Sequence, residues 1–122
     1  MSKKRNMKES TEEKICTNKD LLAVKDALEV LNGKWKLQIL IALLNGAKRF
    51  RELTREVEGI SDRMLSKELK ELESHQLVTR KVFDSFPPVV EYETTEHTKS
   101  LHTVIYALKE WGYLHRNKIL GS

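Results

Sequence analysis

The feature that most constrains this chain is a pair of short helical patterns with an alternating segment directly behind them. Phe50, Leu53 and Val57 mark one face of a short helix. Glu58, Gly59 and Ile60 break it, and Ser61 opens a second helix as N-cap, with Asp62 in its first turn. Leu65, Leu69 and Leu72 form the second helix's apolar stripe. Helix, Gly-containing break, helix is the length and punctuation of a helix-turn-helix unit. From Leu77 the period changes to two. LVTRKVF and VVEYETT alternate and are rich in β-formers, and Asp84-Ser85-Phe86-Pro87-Pro88 between them forms turns and blocks further pairing. That is a β-hairpin with a stiff tip.

The flanks are helical. Leu21, Val24, Leu28 and Leu31 recur at helical spacing after Asn18, a suitable N-cap, and Gly33 is a suitable stop. From Lys34 to Asn45 apolar residues surround the axis, which predicts burial on most sides, and Gly46 ends the segment. Lys48-Arg49-Phe50 is long enough only for an edge strand. A final amphipathic helix, about 96–119, places Leu101, Val104, Leu108 and Trp111 on one stripe, widened by Ile105, Tyr106 and Tyr113. The predicted fold is mainly α with a small β-hairpin: a winged helix-turn-helix over 18–122, with an additional helix at each end. Its second helix spans about 61–74 and its wing about 77–95. Residues 1–17 read as a basic, flexible tail, since 1–14 hold five basic and three acidic side chains and almost nothing apolar.

The length of 122 residues suits one domain with one core. No apolar run approaches a membrane span, and the basic N-terminus leads into no apolar stretch, so neither a membrane segment nor a signal peptide is expected. A single cysteine, Cys16, fits a reducing, cytoplasmic setting. The net charge of +4 permits a nucleic-acid partner without requiring one.

Charge placement says more than charge balance. At about 100° per residue, Arg63, Lys67, Lys70 and Ser74 fall opposite the leucines of the second helix, with Met64 and Ser66 beside them. An apolar back with Arg, Lys and Ser in front is what a major-groove helix needs. Arg63 fits a bidentate guanine contact, Lys67 and Lys70 suit phosphates or bases, and Ser61 suits a phosphate. Arg80 and Lys81 start the wing, whose tip would reach the adjacent minor groove or backbone. A solvated charge stripe is the competing explanation. The hairpin that follows at once tips the balance towards double-stranded DNA.

No catalytic constellation is readable, so no enzyme activity is expected. His75, His97, His102 and His115 show no metal-ligand spacing with Cys16 or with one another, and no cofactor motif exists. Cys16 has two readings: a small buried hydrophobe, or a thiolate near a helix N-terminus with Lys14 and Lys19 close by, and so redox-active. For the terminal helices, ordinary core is the default, above all for Trp111 and Leu108. A homodimer is nonetheless expected, because half-sites repeat every ~34 Å along DNA. Its candidate interface is Leu21, Leu22, Leu101, Ile105, Leu108 and Tyr113. Two other functions remain open: a winged-helix protein–protein adaptor that never touches DNA, and a sensor for a small-molecule inducer lined by Trp35, Trp111 and Tyr113.

Five ordered motifs resemble the HxlR-type bacterial transcriptional regulators. They are Gly33-Lys34-Trp35 with Leu37, Ile39 and Leu40; Gly46 with Arg49-Phe50 and Glu52-Leu53; Gly59-Ile60-Ser61 with Met64-Leu65; Leu69 with Leu72-Glu73; and Pro87-Pro88 with Val90-Glu91-Tyr92. The resemblance runs from about Ala27 to Trp111. It implies a dimeric winged helix-turn-helix protein that represses or activates an operon, reads DNA with Ser61–Ser74 and pairs through its terminal helices. It also implies thiol sensing by an N-terminal cysteine, the position Cys16 would take, although Cys16 lies further ahead of Gly33 than that family's sensing residue. Gln76 and Thr98 stand where the family usually has glycine, and Thr94 where it usually has leucine.

Overall fold

The computed structural model describes residues 17–121. The chain divides into two compact units, up to Asn32 and from Gly33 onward. In the first, helix α1 spans Asn18–Val30. Its cap is Thr17, one residue before the expected Asn18, because the Thr17 hydroxyl accepts from the Asp20 N–H while the Asp20 carboxylate accepts from the Thr17 N–H. This reciprocal pair satisfies two helix-end donors, which Asn18 would not do. No α1 side chain is buried.

The second unit opens with α2, Lys36–Leu44. It starts two residues later than expected, since Gly33 takes a positive φ and Lys34 and Trp35 form a turn. Burial is one-sided: Ile39, Leu40 and Leu43 enter the core, whereas Ile41 is 47% exposed. Strand β1, Lys48–Arg49, runs into α3, Phe50–Glu56, and then α4, Asp62–Ser74. Strands β2, Val78–Phe83, and β3, Val89–Thr94, form the hairpin, with Lys81 opposite Glu91. β1 pairs with the other edge of β3, so the sheet has three antiparallel strands in the order β1-β3-β2. The hairpin alone would leave that edge open; the two residues of β1 cover part of it. A 3-10 turn at His97–Leu101 precedes α5, His102–Leu120.

Leu53 of α3, Val57 at its C-terminal cap, and Leu65, Leu69 and Leu72 of α4 are buried together with the α2 residues. They form the core that seats the helix-turn-helix. The turn from α4 into β2 depends on two unusual residues. Gln76 has a φ of 63°, a left-handed conformation that favours glycine. Thr98 is fully buried, and its hydroxyl donates to the Leu77 carbonyl, while the Thr95 hydroxyl donates to that of Gln76. A glycine at 98 could make no such bond. Gln76→Gly is expected to raise stability by up to about 1 kcal/mol, relief of the left-handed cost being partly offset by a freer unfolded chain. Urea denaturation checks this, and an unchanged midpoint would remove strain at Gln76 from the account.

Two expectations for the last helix change. Trp111 and Leu108 are 60% and 49% exposed, so neither is core. No α5 side chain is buried at all, because Ile39, Leu40 and Leu43 of α2, Leu53 of α3 and the leucines of α4 already fill the interior.

Candidate nucleic-acid interface

Ser61 caps α4: its hydroxyl oxygen accepts the Met64 N–H at 3.1 Å, which leaves the hydroxyl proton free for an acceptor from outside. Arg51 of α3 reaches across the turn and donates through its two terminal guanidinium nitrogens to the two Asp62 carboxylate oxygens, at 3.0 and 2.9 Å. Both side chains are solvated, so the pair adds little stability, but its two parallel bonds fix the start of α4 relative to α3. Gly59, at φ 90°, makes the sharp turn between them, and a Cβ there would stand 3.8 Å from the Trp35 ring. Trp35 therefore lies beside the helix-turn-helix turn. Trp111, by contrast, stacks on His115 with ring centroids 4.8 Å apart.

The expected outward stripe is present. Arg63, Lys67 and Lys70 are exposed, Met64 and Ser66 are half-buried, and the leucines are buried behind them. The cations are not equivalent. Among the described residues, Arg63, Lys70 and Arg80 form no ion pair. Lys67 lies 3.1 Å from Glu71, and Lys81 is paired with Glu93 across the hairpin. The wing tip exposes Phe86 completely and carries one acid, Asp84, and no lysine or arginine stands between Phe83 and Thr98.

A group that sequence reasoning missed lies behind the stripe. Lys36 of α2 is 2% exposed, and its ammonium donates to Glu68 at 2.5 Å and to Glu71 at 2.6 Å. Burial alone would lower the Lys36 pKa, but the hydrogen bonds and charges of Glu68 and Glu71 prevail and hold it above its ordinary value. The same contact from Lys36, helped by Lys67, pulls the Glu71 carboxyl below its usual range. A depressed acid stabilises the fold above its ordinary pKa and loses that contribution as pH falls through the lowered value. A raised lysine stabilises below its ordinary pKa and loses its contribution as pH rises through the higher one. Wild-type stability is thus expected to fall as pH drops below about 4.5, the ordinary value for Glu71, and Glu71→Gln to flatten that fall. Urea midpoints at several acidic pH values test this; parallel profiles would remove Glu71 as a contributor.

Among the described residues, no cluster of His, Cys, Asp and Glu has the makings of a metal site, and no helix is long and apolar enough to cross a membrane. Cys16, the candidate thiol, lies outside the described residues. Of the candidate interface residues, Leu21, Leu22, Leu108 and Tyr113 are exposed, and Leu101 and Ile105 are half-buried. Leu37, Ile41 and Leu44 of α2 and Ile105, Leu108 and Lys109 of α5 line an open apolar groove of about 450 Å³.

A helix-turn-helix on a shared leucine core, a three-stranded sheet and a projecting hairpin define a winged helix-turn-helix protein. Residues 30–119 match the HxlR-like helix-turn-helix family. The chain belongs to that family and is a DNA-binding transcriptional regulator. It is 41% identical over 101 residues to YtcD of Bacillus subtilis (strain 168), an uncharacterized HTH-type transcriptional regulator, over 83% of this chain and 80% of that one. The solved structure of HypR, a redox regulator in its reduced form, superposes with a TM-score of 0.76 at 37% identity, over 82% of this chain and 99% of that one. The reduced transcriptional regulator YodB of B. subtilis gives 0.67 at 36%, over 71% and 85%.

Proposed function

We propose that this regulator binds DNA as a homodimer, with α4 in the major groove and the wing beside it. The observation that carries this reading is the pair of unpaired, solvent-facing cations on α4, Arg63 and Lys70, with the leucine back that locks the helix in place. Arg63 reads a guanine edge, and Lys70 and Arg80 neutralise phosphates. Ser61 donates its free hydroxyl proton to a phosphate oxygen, and Met64 and Ser66 flank the base contacts. Lys67 and Lys81 belong to the same surface but are each held by a glutamate.

The dimer reading rests on the terminal helices, each considered alone. α1 presents Leu21, Leu22 and Leu28, and α5 presents Leu108, Trp111, Tyr113, Ile119 and others, all at least half exposed or nearly so. So many large apolar side chains left to water on two helices are the mark of a surface that a partner covers. Cys16 precedes α1 in sequence, and HypR is described as a redox regulator; oxidation of Cys16 is proposed to alter DNA binding. The α2–α5 groove offers a seat for an apolar inducer, with Lys109 at its edge for an acidic group.

The test is fluorescence anisotropy with the DNA upstream of the protein's own gene and a shuffled control, reduced and then treated with a thiol oxidant. Tight, sequence-dependent binding that changes on oxidation, and no longer does so in Cys16→Ser, is the expected result. Binding indifferent to oxidant would remove the redox arm alone. Equal, salt-independent binding to both duplexes would favour the adaptor function.

A further inference from the structure

We propose that Glu71 determines specificity by keeping Lys67 off the DNA backbone. This rests on α4 as the helix that meets DNA, and the experiment below separates the two ideas.

Glu71 uses its two oxygens for two different lysines. Oε1 accepts from Lys36 at 2.6 Å, and Oε2 lies 3.1 Å from the Lys67 ammonium. Lys36 is itself immobile, being buried and bound to Glu68. The Glu71 carboxylate is therefore fixed from inside the protein before it meets Lys67. Such anchoring matters because an unassisted pair of this kind is feeble. Lysine four residues ahead of glutamate is the less favourable order on a helix, and both side chains must be ordered to form it. Here one partner is already in place. Glu68 adds a second, more distant acid at 3.9 Å from Lys67.

The outcome is a stripe on which Arg63 and Lys70 are free while Lys67 between them is occupied. Binding to arbitrary DNA comes almost wholly from phosphate neutralisation, whereas base contacts add the preference for one sequence. Occupying Lys67 weakens the first and leaves the second intact. The same economy recurs on the wing, where Glu93 holds Lys81.

The test is a cycle of three variants, Glu71→Gln, Lys67→Ala and the double variant, in full-length protein. Affinity for the preferred and for a shuffled duplex is read at several salt concentrations. Glu71→Gln is expected to bind the shuffled duplex several-fold more tightly, with a salt slope steeper by about 0.9 and a reduced preference for the specific site. Lys67→Ala alone is expected to keep the wild-type slope, and the double variant to lose the gain. A gain that persists in the double variant would mean that removing any acid suffices, and would overturn the proposal. So would a Lys67→Ala slope lowered as far as that of Lys70→Ala. Should Glu71→Gln melt before binding is measured, the comparison of Lys67→Ala with Lys70→Ala still decides. Wild-type protein with no salt dependence on either duplex would overturn the reading of α4 itself.

Discussion

Lys36→Ala is expected to destabilise the domain by about 3–5 kcal/mol, the largest effect of any single substitution argued for this chain. The reason is not the loss of the lysine's own contribution. Glu68 has a side chain only 7% exposed and would be left with a buried charge that keeps only a distant cation, Lys67 at 3.9 Å. Glu71, at 41%, can turn to water and to Lys67, so it accounts for little of the loss. A domain of this size has only about 5–15 kcal/mol in hand, so the variant would sit near the edge of folding. Exchanging both buried partners, Lys36→Met with Glu68→Leu, is expected to recover most of the loss, since a well-packed apolar pair often equals a buried ion pair. Urea denaturation of the single and double variants measures both. A single variant within 1 kcal/mol of wild type, roughly a surface-sized effect, would show that Glu68 finds water or another partner.

The second large effect is on DNA. Arg63→Ala is expected to cost about 1–3 kcal/mol at the preferred site and to relax the choice of base there, leaving the shuffled duplex nearly unaffected. Lys70→Ala should do the reverse, weakening every sequence similarly and lowering the salt slope by about 0.9. The contrast follows from chemistry. A guanidinium fork matches two acceptors on one guanine edge, while an ammonium is a point charge indifferent to the base beneath it. Anisotropy with both duplexes at two salt concentrations separates them. Equal losses on both duplexes for Arg63→Ala would make it a backbone contact and move base reading to Ser66 or Met64.

Most of the architecture was readable from periodicity. The spacing of Leu65, Leu69 and Leu72, the Gly59 break and the switch to period two at Leu77 place α3, α4 and the hairpin close to where they lie. Solvent exposure of the last helix was not readable, because the same apolar stripe suits a core or a partner, and only the already filled interior distinguishes them. The strand at Lys48–Arg49 was visible, but not its pairing with β3, a non-local contact that no local pattern encodes. Among the site residues, Arg63 and Lys70 were legible as outward cations. The pairing of Lys67 and Lys81 was not. Nor was the buried lysine, although it left a trace. Lys36 lies within about 40° of Leu40 and Leu43 on its helix, and Glu68 about 60° from Leu65 on its own. A base on one apolar face and an acid beside another are each an anomaly alone and a match together. Periodicity scored one helix at a time cannot see that.

The buried triad also makes α4 a poor cassette. Its outward positions look exchangeable, as though a new operator preference could be installed by grafting the whole segment 61–74 into another scaffold. The inner side of that segment brings two carboxylates that answer to a lysine on α2. A recipient with an apolar residue at the place of Lys36 would receive an orphaned acid in its core. Retargeting this regulator therefore means rewriting positions 63, 66 and 70 in place, with Lys36, Glu68 and Glu71 treated as a single inherited unit.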